Sequence, residues 1–271
     1  MLTFPNAKIN IGLNIIEKRA DGFHNIESLF YPVQWSDVLE IVPSDNSTVI
    51  FQSSGLAIPG EKSTNLCLKA YQLLKDKLPS EAPLIHLHKI IPMGAGLGGG
   101  SADGAFTLKM LNDIYDLHLT NEELKNFARQ LGSDCAFFID NQPVFCFEKG
   151  DQFETFDLTL AQKFIVLVNP DIHISTAEAY SGVVPKASNI PLRIALKEPI
   201  QTWKNTIKND FEDHLLLKYP TLASIKNTLY EKGALYASMT GSGSTVYGIF
   251  ENTCEINDVF DSYTVWSGLM S

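Results

Sequence analysis

Apolar and polar residues alternate strictly over residues 7–15, with Ile9, Ile11, Leu13 and Ile15 on one side and Lys8, Asn10, Gly12 and Asn14 on the other. A period of two predicts a strand. Lys8 and Asn10 then share a face about 7 Å apart, and from this segment alone that face reads equally as a solvated one. Further strands are predicted over 29–33 and 38–42, with 49–52 pairing with the latter. Spacing at three and four residues predicts a helix over 65–78, with Ser63-Thr64 ahead of it as a cap. Alternation returns over 84–88. Eleven residues follow, Ile91-Pro-Met-Gly-Ala-Gly-Leu-Gly-Gly-Gly-Ser101, of which five are glycine, and then a helical run over 102–111.

Strand, glycine loop and helix form the unit around which the chain is organised. With few side chains the loop can turn its N–H groups on a ligand, and the helix N-terminus adds unpaired donors and partial positive charge. Such a concavity suits an anion, phosphate above all. Gly94-x-Gly96-x-x-Gly99 satisfies the bare dinucleotide fingerprint, but Asp116, at the right distance for its acidic residue, precedes a capping box at Thr120–Glu123 instead of closing a strand. A Walker A loop requires a lysine that Gly100-Ser101-Ala102 lacks. A plain connector is the remaining alternative.

Downstream, a helix is predicted over 121–131, ended by Gly132, and an apolar strand over 136–139. Asp134 is a lone acid between them, near a helix C-terminus that disfavours it; it reads equally as a turn-former. Strands follow over 144–147, 164–168 and 246–250, with helices over 175–180, 199–208, 210–218 and 222–232 and mostly loop over 181–200. A second cluster of small residues, Met239-Thr-Gly-Ser-Gly-Ser244, suits either a phosphate contact or a hairpin turn. A domain boundary is expected near 150–159, which divides the chain into 1–155 and 156–271.

Composition narrows the chemistry. A net charge of −10 argues against a general nucleic-acid or anionic-membrane binder. The 45% hydrophobic and 19% charged residues are ordinary for a globular chain. Cys67, Cys135, Cys146 and Cys254 are scattered, which suits reduced residues of a cytoplasmic protein and not a zinc site. The opening Met-Leu-Thr-Phe-Pro has no signal-peptide pattern, and no run reaches the length of a membrane span.

Five segments in order resemble the GHMP kinase superfamily: Pro5-Asn-Ala-Lys-Ile-Asn-Ile-Gly-Leu13, Arg19-Ala-Asp-Gly-Phe-His24 with Ser28-Leu-Phe30, Pro92 to Asp103, Leu131-Gly-Ser-Asp134, and Met239 to Ser244. The second segment is similar to one branch of that superfamily, whose substrate is a cytidine diphosphate derivative in non-mevalonate isoprenoid synthesis. That branch often carries Tyr where this chain has Phe23. The resemblance implies an α+β fold of two domains with the active site in the cleft between them, and transfer of the γ-phosphoryl of ATP to a tertiary hydroxyl, with Mg2+ accompanying ATP. It implies Asp134 as general base, Lys8 holding it charged, and Asn10 bonded to the substrate. Pro92, Met93, Gly94, Ala95, Gly96, Leu97, Gly98, Gly99, Gly100 and Ser101 would wrap the phosphates, with Asn65 and Leu66 bordering adenine. Phe23 and Tyr180 would sandwich cytosine while His24 reads its edge, and Thr176 and Thr240 would border the diphosphate and reacting centre. No magnesium ligand is singled out. The expected partners are the two small molecules alone, the protein being a monomer or homodimer. Alternatives are a homoserine or mevalonate type of GHMP kinase, or a nicotinamide-dependent oxidoreductase.

Overall fold

The structure, a computed structural model, describes residues 1–256 and 259–270. The chain forms two compact units, one of residues 1–7, 35–93 and 98–142, the other of 8–34, 94–97 and 143–271. The boundary expected near residue 155 lies inside the second of these.

In the first unit the sheet runs in the order Leu2–Thr3, Val38–Asn46, Ala82–Lys89, Ile50–Gly55. The predicted strand over 49–52 is present as Ile50–Gly55, but it does not pair with 38–42. Ala82–Lys89 lies between them, antiparallel to Val38–Asn46 and parallel to Ile50–Gly55. Ile85 and Leu87 are buried, and a strand so placed needs a hydrogen-bonding neighbour on each edge. Leu66–Leu74, Gly99–Ile114 and Asn121–Leu131 are the main helices of this unit.

Two local expectations are corrected here. The first helix starts at Leu66, and its cap is Asn65, whose side chain accepts the Cys67 N–H, not Ser63 or Thr64; Ser63 and Thr64 lie in a separate 3-10 turn. Residues 136–139 are not a strand: Phe137–Asp140 is one helical turn, ended by Asn141 in the left-handed region. Four apolar residues do not distinguish strand from buried helix, and here all of Phe137, Phe138 and Ile139 are buried together.

The second unit holds two four-stranded sheets, in the orders Asn6–Lys18, His24–Ser36, Val144–Phe147, Gln152–Thr155 and Tyr236–Met239, Val246–Phe250, Phe164–Asn169, Thr264–Leu269. The last strand, Thr264–Leu269, is an addition to the elements that the sequence pattern predicts. Helices Thr176–Ser181, Ile200–Thr206, Glu212–Lys218 and Pro220–Glu231 fall where expected, and Leu192–Ala195 adds a turn within the predicted loop. Asn6–Lys18 is buried on both faces from Asn6 to Ile15, so its polar side is no solvated surface.

Asn121–Leu131 carries the predicted capping box: Glu123 N–H donates to Thr120 Oγ1 and Thr120 N–H to Glu123 Oε2. Thr120→Ala removes the first bond and should lower unfolding free energy by about 1 kcal/mol, as read by urea denaturation.

Candidate active site

In the second unit the polar side of Asn6–Lys18 meets both glycine segments. Lys8 and Asn10 are 3% and 2% exposed, and charge buried so deeply must be paired or hydrogen-bonded. Lys8 Nζ donates to Asn10 Oδ1 at 2.6 Å and to Gly96 O at 3.3 Å, and lies 4.7 Å from the centre of the Phe30 ring. Asn10 Nδ2 donates to Ser28 Oγ, and Ser28 Oγ to Gly12 O. The Asn10 side chain is thereby fixed at both ends.

The second glycine cluster is a hairpin connection between Tyr236–Met239 and Val246–Phe250, closed by Thr240 N–H to Thr245 O. Thr240 Oγ1 accepts Asn10 N–H at 3.0 Å and donates to Gly96 O at 3.0 Å. Thr245 N–H reaches Ala95 O, and Lys8 N–H reaches Leu97 O. Gly96 has φ +78°, and a Cβ there would stand 2.0 Å from Thr240 O; only glycine allows this approach. Gly94 is exposed, with His173 the nearest neighbour to its Cβ position.

Elsewhere in the unit His24 stacks on Tyr180 with ring centres 4.6 Å apart and planes at 23°. The ring facing Tyr180 is thus that of His24. Phe23 is 60% exposed, with Lys149 Nζ 5.5 Å from its ring centre. Burial and the Lys18 charge hold the His24 imidazole below its ordinary range, so near neutral pH it is uncharged, with one donor and one acceptor nitrogen. Thr176 is exposed at the first position of the helix Thr176–Ser181.

In the first unit the helix Gly99–Ile114 begins after Gly98, whose φ of 71° turns the chain into it. It starts two residues before Ser101. Its sixteen residues carry no acid in the first turn, so the dipole's positive end stays uncompensated there. Ser101 neighbours the Cys135 thiol, which burial pushes up to about 12, helped by the Asp134 charge and opposed by the Ser101 hydroxyl. Ser101 and Asp134 therefore share Cys135 as a neighbour. Asp134 lies on the turn between Gly132 and the helical turn Phe137–Asp140, and not at the head of a strand.

A pocket of about 340 Å³ in this unit is lined by Phe51, Ile58, Asn65, Leu66, Met93 and Gly100, with Lys89 and Asp103 among its other walls. Asn65 and Leu66, with Met93 and Gly100 of the loop, are thus brought to one cavity. Sequence reasoning missed the ions in its wall. Lys89 Nζ donates to Asp37 Oδ2 and, at 2.8 Å, to Asp103 Oδ2, all three side chains being buried. Asp37 Oδ1 also accepts the N–H groups of Ile90 and Ile91, which fixes the chain where it leaves the strand for the loop. The clue was a lysine ending an otherwise apolar-alternating strand, with an acid inside the helix that follows. Burial acts to lower the Lys89 ammonium, but the two carboxylates outweigh it and hold it above its ordinary value. Burial, aided by the Asp37 charge and opposed by Lys89, pushes the Asp103 carboxyl up to about 7.

Asp116, the acid required by the dinucleotide reading, sits just past the helix end at φ 49°, away from any strand end. Among the described residues no group of three His, Cys, Asp or Glu side chains is placed to hold a metal ion, and no helix is long and apolar enough to cross a membrane.

This fold, with its glycine loop leading into a helix and a buried lysine against the loop backbone, has recognised counterparts. The models of the GHMP kinases N terminal domain and GHMP kinases C terminal match residues 65–149 and 194–263. The chain is 51% identical to the 4-diphosphocytidyl-2-C-methyl-D-erythritol kinase of Cytophaga hutchinsonii over 94% of each chain. It is 46% identical to the enzyme of the same name from Parabacteroides distasonis over the full length of both. A crystal structure of 4-(cytidine 5'-diphospho)-2C-methyl-D-erythritol kinase superposes with a TM-score of 0.83 at 26% identity, covering 99% of this chain and 98% of that one. The chain belongs to the GHMP kinases, and among them to the 4-diphosphocytidyl-2-C-methyl-D-erythritol kinase family.

The buried acid has a measurable consequence. Asp103 binds its proton more tightly folded than unfolded, where the ordinary value is 3.8, so through this group the fold loses stability as pH rises from about 4 to about 7. Above that the loss is complete. Asp103→Asn should flatten this part of the stability profile, measured by denaturant titrations across that range.

Proposed function

We propose that this chain transfers the γ-phosphoryl group of ATP to the 2-hydroxyl of 4-diphosphocytidyl-2-C-methyl-D-erythritol. The observation that carries the reading is the full-length identity with kinases of that name. The glycine loop, with a helix N-terminus at its end and no P-loop lysine, supports a phosphate-binding role for it. The first-unit pocket bordered by Asn65 and Leu66 combines apolar side chains, Phe51, Ile58, Leu66 and Met93, with polar groups, as a site for an adenine ring requires.

The roles of individual residues follow from the chemistry. A tertiary hydroxyl is crowded and weakly nucleophilic, so positioning and charge stabilisation must supply most of the acceleration. Asp134 takes the hydroxyl proton as the oxygen–phosphorus bond forms and ADP departs. Lys8, its ammonium held by Asn10 Oδ1 and Gly96 O, supplies positive charge to the transferring group. Asn10 bonds the methylerythritol, and Thr176 and Thr240 border the diphosphate and reacting centre, Thr240 by tying the Asn10 strand to Gly96. Phe23 offers an exposed flat face to the cytosine, and the uncharged His24, backed by Tyr180, presents one donor and one acceptor to its edge. Mg2+ would accompany the nucleotide, held mainly through its phosphates and retained waters, and would neutralise charge on the transferring group. The protein acts in the cytoplasm as a monomer or homodimer.

ATP-dependent phosphorylation of the cytidyl substrate, with homoserine and mevalonate as comparators, tests the reading; preference for either comparator would defeat it. Asp134→Asn should lower kcat by about 10²–10⁴-fold while calorimetry shows ATP still bound. A near-normal kcat would remove the base assignment.

A further inference from the structure

Residues 209–212, Asn-Asp-Phe-Glu, carry no role in the reading above, and the sequence pattern marks them only as the opening of a helix. Asn209, Asp210 and Glu212 are polar, yet 1%, 9% and 6% exposed, and burial of such groups requires that their hydrogen bonds be made. Each bonds the backbone of a segment that carries a proposed active-site residue.

Asp210 Oδ2 accepts Ile15 N–H at 2.8 Å, Asp210 N–H donates to Leu13 O, and Leu13 N–H donates to Lys208 O. These bonds fasten the strand that bears Lys8 and Asn10. Asn209 Nδ2 donates both its hydrogens, to Met239 O at 2.9 Å and Gly241 O at 2.8 Å, while its Oδ1 accepts Phe211 N–H. Glu212 Oε1 accepts Met239 N–H at 2.7 Å, and Lys226 holds its Oε2 at 2.6 Å. These bonds fasten the hairpin that bears Thr240.

We infer that Asn209, Asp210 and Glu212 are positioning residues, a clamp that sets the register between the Lys8–Asn10 strand and the Thr240 hairpin. The inference rests on the proposed roles of Lys8, Asn10 and Thr240. An amide at 209 is required because both partners are carbonyls; a carboxylate would repel them and a hydroxyl can serve only one. Displacement of Thr240 breaks its bond to Asn10 N–H and loosens Gly96 O, an acceptor of Lys8. A shift of about 1 Å at a reacting centre costs on the order of 10²-fold in rate.

The test compares wild type with Asn209→Ala, Asn209→Ser and the core truncation Leu222→Ala by amide hydrogen exchange and steady-state kinetics. In Asn209→Ala, exchange at Asn10 and across 240–245 should quicken at least about tenfold, one such step being 1.4 kcal/mol and within the range of a lost buried bond. Its kcat should fall about 10–100-fold with the KM for the cytidyl substrate within about threefold. Asn209→Ser, able to restore one bond, should lie between, and carries the test if the alanine variant does not fold. Leu222→Ala should lower Tm while exchange at Asn10 and kcat stay near wild type. Unchanged exchange at Asn10 in the Asn209 variants, or a kcat loss in Leu222→Ala equal to theirs, would overturn the clamp. Failure of wild type to phosphorylate the cytidyl substrate would defeat the functional reading alone, since the exchange comparison still decides the clamp.

Discussion

Much of the second unit depends on one hydroxyl. Thr240 Oγ1 accepts the Asn10 N–H and donates to Gly96 O, so a single side chain joins the first strand, the first glycine segment and the second. It is wholly buried, and a lost partner there would leave a desolvated polar group at a cost of about 1–3 kcal/mol. The bond forms because position 96 has no Cβ. That absence lets two backbones approach at a distance any other residue would forbid, and it accounts for the glycine better than flexibility does. Lys8 takes its orientation from the same place, since Gly96 O is one of its acceptors.

The first unit solves a comparable problem with charge. The run from Lys89 to Ile91 must leave the sheet at a fixed angle if the loop is to begin in a defined position. Asp37 accepts both N–H groups there, and its other oxygen takes Lys89. Two carboxylates around one ammonium leave an excess negative charge in a dry interior, which is why Asp103 retains its proton so readily. A buried pair of this kind contributes little over a hydrophobic substitute, but removing one member costs about 3–5 kcal/mol. Its value lies in fixing where the chain goes.

Strand positions such as 7–15 were legible because strict alternation matches the two-residue pleat of a strand and no helical period. The capping box at Thr120 and the stop at Gly132 mark their helix by local chemistry alone. Five ordered motifs also gave the family. What escaped depends on partners remote in sequence. Residues 136–139 looked like a strand because a short apolar run has no readable period. The partner of Ile50–Gly55 is set by a strand some thirty residues on. Whether the polar side of 7–15 faced water could not be read from its own residues, since what covers Lys8 and Asn10 comes from the loop at 96 and the hairpin at 240. Lys89, Asp37 and Asp103 are each unremarkable locally. Asn209 and Asp210 were hidden for the same reason, their partners being backbone groups at 13–15 and 239–241.

The compact units interleave along the chain, one taking residues 1–7, 35–93 and 98–142 and the other the rest. Neither is an uninterrupted length of polypeptide. During synthesis the second unit receives its first strand at the outset and its hairpin at 236–250 only near the end, so Thr240 meets Asn10 after some 230 intervening residues have emerged. A fragment beginning at 156 would lack the whole sheet strand that Asp210 fastens. Halves cut there would divide the second unit, which draws its strands from both.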